Sequence, residues 1–335
     1  MLNNKLIFFI TAISIILLLP LTTLAQKDNN LRGPAFHATA KALPMSKDWQ
    51  QQAIQYEEWA RGADLALSLD QQLYAALLPI INRFASEQKV NIKVQEGTCG
   101  ISAGQLLQKS ADITGFCCPP GETDRLPGLA YHTLGIAALH IIVNKTNPID
   151  NLSLDQVQNI FQGKITSWRS LPGMEHSFPA EDTIHPIARL HCKNRPGHWR
   201  LLLDNEDLFS ARMIDIGTIR DMITRVSSDK NAIGYEVLWH VDQLAPDGTV
   251  KSIHINNSNP NRPEDVLTLA YPLYRTFSIT TWEPTNNQKT LAQQLITYIQ
   301  AHMKEIDKRH GIIPATRLKE AGWKFTNNEL TGEPE

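Results

Sequence analysis

Beyond residue 25 the sequence has no apolar run of the roughly 20 residues that a membrane-spanning helix needs. It has no internal repeat and no low-complexity tract. Neither sign of charge dominates: 32 Lys and Arg face 34 Asp and Glu, for a net charge of −2. That balance is not the footprint of a nucleic-acid binder, so no such partner is expected. Cysteine is scarce, with four residues in 335, and none precedes Cys99. The lipid-anchored form of export, which needs an early cysteine, is therefore not expected. No pair of cysteines has CxxC spacing and no CxxCH haem-attachment motif occurs.

What is present begins with an export signal. Lys5 supplies the positive end, Leu6 to Leu19 is almost wholly apolar, and Thr23-Leu24-Ala25 offers small residues for cleavage after Ala25. The apolar run is short for a membrane anchor and ends at Pro20, so a cleaved signal over 1–25 and a periplasmic protein are expected. The remaining 310 residues carry a charge of −3, since the signal holds one Lys and no acid. That length suits two lobes of ordinary domain size.

Residues 26–62 are polar and mixed, an irregular leader with a short helix expected between Trp49 and Trp59. From Ala63 the pattern sharpens. Ala63 to Leu69 suits a strand. Leu73, Ala76, Leu77, Ile80 and Ile81 fall at helical spacing, and Val90, Ile92 and Val94 alternate as in a strand. Gly97 to Gly100 reads as a tight loop, Ser102 to Lys109 as a helix, and Ala111 to Phe116 as a strand. This alternation is the mark of an α/β lobe with a largely parallel sheet. Leu139 to Asn144 reads as a buried strand. Ser153 and Gln156 form a capping box for a helix whose inner face is Val157, Ile160 and Phe161, and Gly163 ends it. Ile184 to Arg189, Ala232 to Val237 and Leu267 to Ile279 read as strands, Trp199 to Leu203 and Leu291 to Ile306 as helices. A polar tail, 323–335, is expected to fray.

Several of these segments resemble the phosphate-type (PstS-like) periplasmic solute-binding proteins. The segment from Asn147 to Trp168, NPIDNLSLDQVQNIFQGKITSW, resembles their helix motif. NAIGYEVL (Asn231 to Leu238), YPLYRTFSIT (Tyr271 to Thr280), HGIIPA (His310 to Ala315) and ADITGF (Ala111 to Phe116) follow in the family's pattern. The resemblance covers roughly residues 63–320. It implies an α/β, two-lobed type II periplasmic-binding (Venus-flytrap) fold with a ligand cleft between the lobes. The expected organisation is lobe 1 from 63–145 plus 255–322 and lobe 2 from 146–254. It also implies a non-catalytic binder that closes by a hinge motion and meets an ABC-transporter permease or a membrane sensor.

The resemblance places four loops at the cleft. An oxyanion site needs donors without bulk: helix N-termini, hydroxyls and an Arg. The first loop carries Asp70, which would repel a bare anion or cap the next helix. The second carries Thr98, Cys99 and Gly100, with Ser102 adding a hydroxyl; a helix start there should make the Cys99 thiol more acidic than a free one. In the third, Asp112 matches the acidic residue that takes the ligand's proton in phosphate binders, and Cys117-Cys118 follow. In the fourth, Arg189 matches the family's anion-binding Arg. His191, Cys192, Lys193, Asn194, Arg195 and His198 stand after it, where the family has small hydroxyl residues.

All four cysteines thus fall in ligand loops. By the family's layout Cys99, Cys117 and Cys118 lie on one lobe and Cys192 on the other, so closure would bring them together. Thiolates, with His191 or His198, suit a soft or borderline metal ion, a metal cluster or arsenite. Disulfides stapling the loops are the rival reading, with Cys99 bonded to Cys117 or Cys118. An oxyanion receptor with such staples, resting on Arg189, Asp112, Ser102 and the loop donors, is the alternative function. A thiol–disulfide redox role is a third, against which stands the lack of CxxC. No nucleophile elbow, and so no hydrolase, is expected.

Overall fold

A computed structural model describes residues 42–120, 124–190, 202–203, 206–283 and 290–335. The leader enters as a single helical turn, α1 (Lys47–Gln51), capped by Ser46. Trp49 of α1 donates from Nε1 to the Leu107 carbonyl at 2.7 Å and packs edge-on against Trp282. Lys109 lies over both rings and donates to the carbonyls of Gln50 and Gln52. The leader is thereby held on the body by a cation–π clasp.

A strand–helix alternation follows. β1 (Leu65–Asp70) is buried along its whole length, as an interior strand of a parallel sheet must be. α2 (Gln71–Gln88) turns Leu73, Leu77, Ile80, Ile81 and Phe84 inward. β2 (Ile92–Gly97), α3 (Cys99–Gln108) and β3 (Ile113–Phe116) complete the unit. β1 pairs in parallel with β2 and with β3, so the loops carrying Asp70, Cys99 and Cys117 leave the same edge of the sheet.

β4 (Leu129–Ala138) then runs for ten residues and, after Leu139 alone, continues as β5 (His140–Asn144) in a different sheet. The change of sheet therefore comes at Leu139, ahead of the expected lobe boundary at 145. β6 (Asn151–Leu152) precedes α4 (Leu154–Phe161), whose capping box joins Ser153 and Gln156 in both directions. Gly163 past its end adopts φ +74, the left-handed turn that favours glycine. β7 (His185–Ala188), β8 (Ile214–Asp215), α5 (Ile219–Ser228), β9 (Ala232–Glu236), α6 (Leu238–Leu244), β10 (Val250–Ser252), β11 (His254–Ile255) and α7 (Pro263–Leu267) follow.

The chain returns through β12 (Tyr274–Trp282), antiparallel to β4 along its length. The strand expected over Leu267 to Ile279 is thus shorter at its start: Leu267 ends α7, and the turn at Leu269 has φ +60. α8 (Leu291–His302), β13 (Ile313–Pro314) and α9 (Ala315–Glu320) come next. Among the described residues the first sheet has the order β13-β4-β12-β3-β1-β2, and the second β10-β5-β9-β7-β8. Each carries its own buried cluster, around Leu67, Leu73 and Phe277 in one and Ile142, Phe161 and Tyr235 in the other. The two passages between sheets are joined: the Leu139 N–H donates to the Leu273 carbonyl at 2.9 Å, and the Tyr271 hydroxyl donates to the Leu139 carbonyl at 2.8 Å.

The tail does not fray. β14 (Lys324–Thr326) and β15 (Glu329–Gly332) form a hairpin. Trp323 is buried and donates to the Leu267 carbonyl at 3.0 Å, Leu330 is buried, and Arg125 grips Glu329 through two 2.6 Å hydrogen bonds. Two apolar side chains and one bidentate ion pair outweigh the polar composition of the segment.

Candidate functional site

In open α/β sheets ligands gather outside the carboxyl ends of the strands. Here β1 ends at Asp70, β2 at Gly97 and β3 at Phe116, and register sets these ends level. Asp70 caps α2, accepting from the Gln72 N–H at 3.1 Å. Thr98 caps α3, accepting from the Ile101 N–H at 3.3 Å, which places Cys99 as the first residue of that helix. The Cys99 and Cys117 sulfurs approach to 3.2 Å, and Cys118 Sγ lies 3.7 Å from Cys99 Sγ. The Cys117 N–H also points at Cys99 Sγ, at 3.4 Å. One carboxylate oxygen of Asp70 and the sulfurs of Cys99 and Cys117 all lie within 4.8 Å of one another, and all three residues are buried.

The surroundings of Cys99 act against the acidity expected of a thiol at a helix start. Its contact with Cys117 favours the thiolate, but the contact with Cys118, burial and the Asp70 charge push its pKa well above the ordinary thiol range. For Cys117, the contact with Cys118 acts downward; the contact with Cys99, burial and Asp70 prevail and raise it. The N-terminus of α3 is too weak a positive end to offset them.

Near this group is a buried ion cluster to which both sheets contribute. β7 and β9 run parallel with His185 beside Ala232, so the next turns of the ladder bring Arg189 level with Glu236. Arg189 Nη2 donates to Glu236 Oε2 at 2.9 Å. Arg275 of β12 donates from Nη1 to Oε1 at 3.3 Å, and His240 Nδ1 lies 3.1 Å from the same oxygen. Burial opposes ionisation of Glu236, but Arg189, Arg275 and His240 outweigh it and hold its pKa well below the usual carboxylate range. Glu236 and Arg275 escaped the sequence reading, because only the strand register makes them neighbours of Arg189. Arg189 and His240 also line a cavity of about 620 Å³, together with Thr98, Thr218, Arg220 and Trp239.

Other expected site residues are elsewhere. Asp112 is level with Ala66, four residues before Asp70, or about 13 Å along the strand direction. Its Oδ2 accepts from the Tyr56 hydroxyl at 2.6 Å and from the Ala66 N–H at 2.8 Å, and burial raises its pKa. It ties the leader to the sheet's far edge and does not join the thiols. Ser102 is fully buried, and its hydroxyl donates to the Ser68 carbonyl at 3.2 Å. Gly100 is exposed beside Thr98. The run Gly100-Ile101-Ser102-Ala103-Gly104 does have GxSxG spacing, so the expected absence of that motif is corrected. Ser102 sits within α3 with its hydroxyl turned to the sheet, which is not the geometry of a nucleophile elbow. His191, Cys192, Lys193, Asn194, Arg195 and His198 lie outside the described residues.

Comparison with known proteins agrees with this geometry. A family profile described as PBP superfamily domain matches residues 50–302. The phosphate-binding protein PstS of Bacillus subtilis is 24% identical over 280 residues, 82% of this chain and 88% of that protein. Phosphate-binding protein PstS 2 of Streptococcus agalactiae is 30% identical over 83 residues, 25% of this chain and only 28% of the relative's length. Among solved structures, a phosphate-bound substrate-binding protein from Clostridium perfringens superposes with a TM-score of 0.63 at 18% identity, covering 75% of this chain and 99% of the other. An ABC-type phosphate transport receptor from Vibrio cholerae gives 0.58 at 20% identity, over 75% and 99%. These structures share the fold of two sheets joined at a paired crossover, and the chain belongs to the PBP superfamily.

Proposed function

We propose that this chain is a non-catalytic, exported receptor that takes a small thiophilic solute into the cleft between its lobes and presents it to a membrane transporter. The observation that carries this reading is the convergence of Asp70, Cys99 and Cys117 at three level strand ends, with Cys118 beside them. Zinc(II), copper(I) and arsenite are the solutes that such a donor set suits. Zinc would displace the protons of two thiols. Arsenite would exchange its hydroxyls for thiol sulfurs, each exchange forming one S–As bond and releasing one water. The fourth loop, with Cys192 and His191 or His198, would complete the ligand set on closure.

The test is zinc and arsenite uptake by fully reduced protein, read by elemental analysis, in wild type and in Cys117→Ser and Cys192→Ser. About one equivalent in wild type and weaker uptake in both variants is expected. No uptake by the reduced wild-type protein overturns the reading.

A second reading, a phosphate-type oxyanion receptor, is favoured by the named function of the relatives and by Arg189 and Arg220 in the cavity wall. Micromolar binding of inorganic phosphate by calorimetry, lost in Arg189→Ala, would establish it.

A further inference from the structure

Beside the cavity the two lobes meet at an aromatic stack. Trp239, near the start of α6, belongs to the second lobe and forms part of the cavity wall. His310 belongs to the first lobe, in a 3-10 turn (Lys308–His310) just ahead of β13. Their ring centroids are 3.9 Å apart and their planes lie at 28°, a stacked pair. The Arg309 guanidinium also reaches the indole, 5.8 Å from its centroid, and is itself held by Asp307. His310 is buried, and its Nδ1 has no hydrogen-bond partner among the described residues. The imidazole meets Trp239 through its face.

Each ring is tied to its own lobe. The wholly buried Gln72 of α2 donates from Nε2 to the His310 carbonyl at 3.0 Å. Asp70, at the thiol group, caps the same helix by accepting from the Gln72 N–H. On the other side, His240 follows Trp239 in α6 and lies 3.1 Å from Glu236, which pairs with Arg189. The segments that hold the two rings are thus the ones that meet the cavity. The lobes are joined through Leu139 and through Tyr271 to Leu273, and rotation about these passages must slide or part rings that are tied to different lobes.

We propose that the stack of Trp239 on His310 is a latch between the lobes, which biases the cleft toward its closed form before a solute enters. Flat rings in contact favour one relative placement of the lobes, and opening gives that contact up to water. This role rests on reading the cleft between the lobes as the ligand site, and it holds whichever solute enters.

The test is small-angle X-ray scattering from solute-free, fully reduced protein, as wild type, His310→Phe, His310→Leu and His310→Gln. Phe keeps an aromatic face for Trp239, whereas Leu and Gln keep bulk without a ring. Loss of the stack is expected to lower the closed-to-open ratio by about twofold to tenfold. The two ring-less variants should therefore scatter as larger, more extended particles, and His310→Phe should match wild type. Thermal unfolding, measured alongside, shows which variants are folded. Wild-type scattering from a folded ring-less variant, or the same expansion in His310→Phe, overturns the latch. Failure of both ring-less variants to fold assigns the stack to stability and overturns it too. Zinc uptake by the wild type is measured in parallel. Its absence, with expansion on loss of the ring, would overturn the thiophilic reading and leave the latch standing.

Discussion

The sulfur of Cys99 lies 3.2 Å from that of Cys117 and 3.7 Å from that of Cys118, so the first residue of α3 faces two adjacent thiols beyond β3. Such a trio can serve as ligands only while reduced. Mild oxidation is expected to join Cys99 to Cys117, to abolish zinc uptake, and to be reversed by a dithiol reductant. Peptide mapping by mass spectrometry with and without reduction checks the bond, and elemental analysis checks the uptake. Oxidised protein that binds zinc as well as the reduced form would show that these sulfurs are not the ligands.

Acid should destabilise the fold through His140. This residue is buried at the start of β5 against Ser252, and burial lowers its pKa from 6.5 to about 4. A histidine with a depressed pKa in the folded state takes up a proton more readily when unfolded. Its contribution is therefore present above pH 6.5 and is lost progressively as pH falls toward 4, to a limit of about 3 kcal/mol. Denaturant unfolding across that range should show a falling midpoint, and His140→Gln should flatten the slope. An unchanged slope in the variant would assign the acid sensitivity elsewhere.

Asp112→Ala removes the acceptor shared by the Tyr56 hydroxyl and the Ala66 N–H. A loss of about 2–3 kcal/mol is expected, since both bonds end on a carboxylate. Residues 42–62 should become more open to protease, while ligand uptake stays at the wild-type level. Weakened uptake would return Asp112 to the site that the family resemblance implies for it.

Trp323→Ala should cost about 3–5 kcal/mol, because a buried indole and its hydrogen bond to Leu267 are lost together. Thermal unfolding measures it. A change below about 1 kcal/mol would mean that the hairpin contributes little to the fold.

The local elements were legible where periodicity is strong. The apolar stripe from Leu73 to Ile81 is seen in α2, and the Ser153–Gln156 capping box begins α4 as its spacing requires. The tail misled because polar composition hides Trp323 and Leu330, two side chains whose burial depends on surfaces far away in sequence. Asp112 misled for a related reason. A motif marks a strand, but not which end of the sheet its acid occupies.

The sequence by itself determined the chemistry on offer: the clustering of cysteines in loops, an Arg after a strand, and α/β alternation. Those follow from residue identity and from periods of two and 3.6, which are local. Only the tertiary structure decided which groups meet. Parallel register brought Asp70, Cys99 and Cys117 to one edge, and it set Glu236 beside Arg189 at a separation of 47 residues. It also raised the pKa of Cys99 and of Cys117, because a neighbouring thiol, burial and the charge of Asp70 outweigh the start of α3. Long-range proximity and desolvation are properties of the packed chain, and no local pattern encodes them.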